Sequence, residues 1–90
     1  MNNARRKRIK GAYALMQEAI DKLNEAQEVI EECKDEEEEA YDNLPESVQD
    51  SDKGDAMMEA MDSLDSCYDD IGEAIDNVES AQSYAEGAML

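Results

Sequence analysis

The side chains of this chain that could do chemistry are of two kinds, 25 carboxylates and two thiols, with no His among its 90 residues. Paired carboxylates can serve as general acid and base or as oxygen ligands for calcium, and thiols can bridge or hold zinc. None of these chemistries finds its spacing here. Cys33 and Cys67 supply only two of the four ligands that a structural zinc site takes, and no His completes the set. The run Asp50-Ser51-Asp52-Lys53-Gly54-Asp55 glances at a calcium loop, but such a loop needs Gly sixth and Glu twelfth, whereas Gly54 stands fifth and Met61 twelfth. Turn and helix-cap chemistry explains the same letters. The sequence therefore predicts no catalytic residues, no cofactor and no metal ligands, and a non-enzymatic protein.

Charge is the larger signal. Eight basic residues oppose 25 acidic ones for a net charge of -17, with no Trp, no Phe and a single Pro. Such a surface repels nucleic acid and anionic membrane, so the expected electrostatic partner is a basic protein, for example one that itself binds nucleic acid. Two cysteines with no long apolar run and no signal segment point to a reducing cytoplasm. The basic start, Arg5-Arg6-Lys7-Arg8-Ile9-Lys10, leads into helical periodicity and reads as an arm rather than an export signal.

The elements that position these charges follow from an internal repeat: Glu18-Ala19-Ile20-Asp21 returns 55 residues later as Glu73-Ala74-Ile75-Asp76, and Ala26-Gln27 as Ala81-Gln82. Both copies sit in heptads. Ile9, Met16, Leu23 and Ile30 form a large series at position a, and Ala12, Ala19, Ala26, Cys33 and Ala40 a small series at d. A third series at e runs Tyr13, Ile20, Gln27, Lys34 and Tyr41. The second copy repeats the design with Met57, Leu64, Ile71, Val78 and Ala85 at a, Ala60, Cys67, Ala74, Ala81 and Ala88 at d, and Met61, Tyr68, Ile75, Gln82 and Met89 at e. Pro45 ends the first helix near Asn43, because the residue before a proline is driven out of the helical region. Ser51 is the expected cap of the second helix, with Asp52 and Asp55 in its first turn. Gly11 and Gly72 are placed on outward faces, where each costs about 1 kcal/mol relative to Ala.

The expected fold is all-α: one domain over residues 1–90, with helix 1 about 4–43, a loop over 44–51 and helix 2 about 52–88, folded as an antiparallel two-helix coiled-coil hairpin with an Ala-rich seam. Large a residues then face small d residues whose numbers total 97, as in Leu23 with Ala74 and Ala26 with Ile71. Cys33 and Cys67 fall three residues off that register, beyond the roughly 7 Å at which Cα atoms can be bridged, and are expected to be free. The rod is about 57 Å long at 1.5 Å per residue. On this register Tyr13, Ile20, Tyr41, Met61, Tyr68, Ile75 and Met89 make an apolar stripe along one flank, expected to pair two hairpins into a homodimeric four-helix bundle. The basic arm is expected to be neutralised beside the end of helix 2, near Glu79 and Glu86.

Outward positions Asp21, Glu28, Asp35 and Asp42 recur about every 10.5 Å on one helix, and Asp55, Asp62, Asp69 and Asp76 do so on the other. These eight are the expected partner-binding residues, acidic ridges that imitate the charge density of duplex DNA. A self-associating spacer or adaptor is the alternative.

A resemblance sharpens the first of these. Ala40-Tyr41-Asp42-Asn43-Leu44-Pro45-Glu46-Ser47-Val48-Gln49, followed by Ser51, Lys53-Gly54-Asp55 and Met58-Glu59-Ala60, resembles a segment shared by small, acidic, mostly uncharacterised helical proteins encoded by phages and prophages of Gram-positive bacteria. The match covers the middle of the chain and carries no site residues with it. It implies a phage protein in the cytoplasm of a bacterial host, where short accessory proteins counter host defence.

Overall fold

A computed structural model describes all 90 residues, and the chain is all-helical and long. Helix α1 spans Asn3–Asp42, a four-residue helix α2 spans Glu46–Gln49, and α3 spans Asp52–Ala88. The molecule measures 68 × 15 × 14 Å.

Local chemistry sets each boundary. The Asn2 side chain accepts from the backbone N–H of Arg5 at 2.8 Å and caps α1. At the other end Asn43 is the C-cap, and Pro45, with φ of -56°, turns the chain into α2, where Val48 and Gln49 donate back to the Pro45 carbonyl at 2.8 and 3.0 Å. The expected loop over 44–51 thus contains a helical turn. The Gln49 side-chain amide donates to the Tyr41 carbonyl at 3.0 Å, which pins α2 to the end of α1. Leu44 and Val48 are half-buried there. Ser51 is the N-cap of α3 by backbone conformation, but its hydroxyl donates to the Val48 carbonyl instead of accepting from the first turn. Asp52 and Asp55 sit in that first turn, where the macrodipole favours them.

The two long helices lie side by side, and their cross-helix bonds run in opposite order. Arg6 reaches Met89, Gln17 reaches Gln82, Gln27 reaches Tyr68 and Lys34 reaches Asp65. The residue numbers of these pairs total 95 or 99, so residues totalling 97 stand level. These totals straddle the expected 97, and the rotation of each helix about its own axis differs from the expected one.

The seam is built from the a and e series rather than from a and d. Ile20 is 5% exposed and Ile75 is 8% exposed, and they are the only buried apolar side chains. Tyr13, Gln27, Lys34, Tyr41, Met61, Tyr68 and Met89 are half-buried in line with them. Ala12, Ala19, Ala26, Cys33, Ala40, Ala60, Ala81 and Ala88 are exposed. The expectation of an alanine-rich seam is therefore corrected. The physical reason is area: at about 0.8 kcal/mol per buried CH2, a helix with one neighbour gains far more from covering Ile and Met, or the ring of Tyr, than from covering Ala. Leu23, Ile71 and Ala74 still meet, at the edge of the seam, where they line a common groove.

Two glycines make close approaches, the first against expectation. Gly72 is half-buried and faces α1, since a Cβ there would come within 3.2 Å of the Gln27 amide nitrogen. Gly54 is buried, and a Cβ on it would collide with the Gln49 carbonyl oxygen. That approach is what lets α3 start directly under α2.

Candidate functional site

With the seam fixed, the faces of the rod follow from the helical turn of about 100° per residue. On each helix the e series leans to one broad side of the pair and the d series to the other. Grooves on the first side show this directly. One is lined by Gln27, Tyr68 and Ile75 with Asp69 and Asp76, and another by Lys34, Tyr41 and Met61 with Asp42, Asp62 and Asp65. The ridge positions, one residue beyond e, flank this side on both helices.

All eight residues expected to bind a partner are exposed: Asp21, Glu28, Asp35, Asp42, Asp55, Asp62, Asp69 and Asp76. The register adds an arrangement that spacing on one helix does not show. Asp21 with Asp76, Glu28 with Asp69, Asp35 with Asp62 and Asp42 with Asp55 each total 97, so the two ridges stand in step as four rungs. Successive rungs are about 10.5 Å apart.

Few of these charges are neutralised. The chain has two ion pairs, Lys22–Glu25 at 3.5 Å within α1 and Lys34–Asp65 at 2.7 Å across the seam. Of 25 carboxylates, the remaining 23 have no cationic partner within bonding distance. The cationic arm does not reach them: Arg6 donates to the Met89 carbonyl at 3.2 Å and to Asn3 at 3.1 Å, and Arg5, Lys7, Arg8 and Lys10 form no ion pair. Lys10 and Glu86 line one groove with Tyr13 and Met89 without pairing. The expected contact with the negative end of α3 is thus made by Arg6 alone, and neutralisation by Glu79 and Glu86 is not seen.

The residues expected to pair two copies are placed elsewhere than foreseen. Ile20 and Ile75 are buried within one chain, and Tyr13, Tyr41, Met61, Tyr68 and Met89 are half-buried along the same seam. The stripe is consumed by the α1–α3 contact and is not a free flank.

Polar groups that sequence reasoning passed over lock the seam. Gln82, only 7% exposed, donates to the Gln17 side-chain oxygen at 3.1 Å, and Gln27 donates to the Tyr68 carbonyl at 3.3 Å. A buried polar residue in an otherwise apolar series selects one alignment over its neighbours, because any slip leaves the group unpaired. The signal was there, since Gln27 and Gln82 break the e series at equivalent places in the repeat.

Two seam groups titrate above their ordinary values. The hydrogen bond to Glu86 raises the Tyr13 phenol, with burial and the Glu86 charge adding to it; the hydrogen bond to Asp65 raises Lys34 against a smaller opposing effect of burial. A raised pKa contributes stability that is present below the unfolded value and lost as pH rises through the folded one. For these groups that window opens above 10.0 and 10.5 respectively. Thermal stability is expected to fall on alkaline titration through this range. The ultraviolet difference titration of the parent against Tyr13→Phe should show a phenol ionising above 10.0, shifted downward by Glu86→Gln.

Both cysteines are free, Cys33 exposed and Cys67 half-buried, and no three Cys, Asp or Glu residues are grouped to hold a metal ion. No helix is long and apolar enough to cross a membrane. The chain matches no protein-family model, no curated protein and no solved structure.

Proposed function

We propose that this protein is a non-enzymatic binding module whose acidic face occupies a Lys- and Arg-lined groove of a nucleic-acid-handling protein. The observation that carries the reading is the pair of exposed carboxylate ridges in step along a 68 Å rod. Twenty-five carboxylates over 68 Å is one per 2.7 Å, against one phosphate charge per roughly 1.7 Å of duplex DNA. A basic groove that releases counterions when it takes up DNA would release them to this rod as well. The resemblance to phage proteins makes the target a component of a bacterial host, a nucleic-acid-binding or defence protein, and the activity an inhibition.

The test is competition. A host protein captured at low salt and released at high salt should also lose bound duplex DNA when the rod is added. Asp62→Asn, Asp69→Asn and Asp76→Asn together remove three of the four rungs on the α3 side. That variant, still helical by circular dichroism, is expected to compete roughly 1,000-fold less well, since close charge pairs across an interface couple by about 1.5 kcal/mol or more each. Equal competition by parent and variant would contradict the proposal.

A second reading, a self-associating spacer or adaptor, is favoured by a different observation. Leu15, Val29 and Tyr84 are large apolar side chains left 66%, 55% and 80% exposed.

A further inference from the structure

The side of the rod opposite the acidic face has a composition unlike the rest of the molecule. It is formed by the d positions and their outer neighbours, four residues before each d on the same helix side, which include Leu15, Val29 and Tyr84. Only Glu36 and Asp70 among the 25 carboxylates fall on these positions, whereas Arg5, Arg8, Lys22 and Lys53 do. A chain of net charge -17 thus keeps one full-length face slightly cationic, small and apolar. Depletion of charge around apolar side chains marks the centre of a protein interface.

Three further observations say what covers that face. The molecule exposes 6482 Å², where a compact chain of its mass exposes about 5,300 Å². The face, 68 by 15 Å, exceeds the roughly 800 Å² that each partner contributes to a stable interface. Finally, α1 is charged against its own macrodipole at both ends. No acidic residue lies in its first turn and no basic residue in its last. Its four unpaired arm cations sit at the positive end, and eight carboxylates between Glu31 and Asp42 crowd the negative end. A second α1 running the other way corrects both ends together.

We infer that two copies pair through the alanine-lined face in opposite directions, α1 on α1 and α3 on α3, with the basic arm of each over the Glu31–Asp42 end of the other. The two-fold axis then passes near Lys22. Residues on α1 whose numbers total 44 or 45 meet across it, setting Arg8 on Glu36, Ala12 on Cys33, Leu15 on Val29 and Ala19 on Ala26. Lys22 meets its own copy, already paired with Glu25. The acidic ridges point outward on both sides of the resulting four-helix assembly. This pairing goes beyond the proposed function, and of the eight ridge carboxylates only Asp21, in a groove with Leu15, Ala19 and Lys22, and Asp62, in one with Cys67 and Ala74, border the paired face.

Sedimentation equilibrium at physiological salt tests it, with a mass of twice 10.1 kDa expected. Ala19→Glu with Ala26→Glu introduces four carboxylates at the centre of the interface. Both sites are exposed in the single chain, so helicity is retained, and association is expected to weaken roughly 100-fold or more, because juxtaposed like charges cost several kcal/mol. Thiol trapping supplies the direction. In a Cys67→Ala background, Ala12→Cys should give a disulfide-linked dimer with Cys33 on mild oxidation, and the background alone should not. A monomer at all concentrations would overturn the inference and leave the face to a different partner. So would a dimer unaffected by the glutamates, or a dimer that Ala12→Cys fails to trap.

Discussion

Ile20→Ala is expected to destabilise the single chain by about 3 kcal/mol, the ordinary cost of deleting a buried branched side chain. The expectation rests on how little else is buried. Only Ile20 and Ile75 qualify among apolar residues, and no side chain is fully enclosed. A chain of this length has a total stability of roughly 5–13 kcal/mol at 0.05–0.15 kcal/mol per residue, and a thin core places it near the lower bound. The loss should lower the melting temperature by roughly 10–25 °C, at 4–8 °C per kcal/mol. Ile75→Ala should do the same. Ile20 and Ile75 total 95, the offset at which Gln27 bonds Tyr68 and Arg6 bonds Met89, so the two sites lie in the same stretch of the seam. The double variant is expected to deviate from additivity and to be largely unfolded at room temperature. Thermal melts by circular dichroism, read at equal low concentration for all four proteins, check the cycle.

Gly54→Ala is the second large effect, and its sign runs against helix propensity. Replacing glycine inside a helix with alanine normally stabilises by about 0.5–1 kcal/mol, and Gly11→Ala, with open space around the added methyl, should do so. At Gly54 the same methyl would collide with the Gln49 backbone, whose carbonyl oxygen, carbonyl carbon and Cα all lie within 2.8 Å of its position. Backbone cannot swing aside as a side-chain terminus can. The α2–α3 corner must open, with a loss of about 3 kcal/mol, the upper end of what overpacking costs. Opening it also strains the Gln49–Tyr41 hydrogen bond that holds α2 on α1. Chemical denaturation of Gly54→Ala and Gly11→Ala side by side should show opposite signs.

These two residues mark where the sequence was legible and where it was not. Helix limits could be read to within a residue or two, because Pro45 and the change of periodicity around it are local signals. Exposure of the ridge carboxylates could be read as well, since every heptad places them far from any apolar series. The choice between d and e as partner of a could not. Both lie three or four residues from a, so spacing alone admits either, and matching large residues to small ones favoured d. Burial decided for e, because Ile, Tyr and Met bring more apolar surface to a single neighbour than Ala does. The close approach at Gly54 depends on how α2 folds back, a non-local event that no spacing encodes. In the same way, the four carboxylate rungs required the register of one helix on the other, which the hydrogen bonds of Gln17, Gln27 and Lys34 supply.

Both the acidic face and the alanine-lined face exist as faces only if e, and not d, lies between the helices. Nuclear Overhauser contacts from the methyl groups of Ile20 measure this most directly in a dilute sample. They should lead to the methyls of Ile75, with the Gln17 and Gln82 side-chain amides in mutual contact nearby. Strong contacts from the methyls of Ala19 and Ala26 across to α3, with Ile20 showing only neighbours in its own helix, would contradict the arrangement.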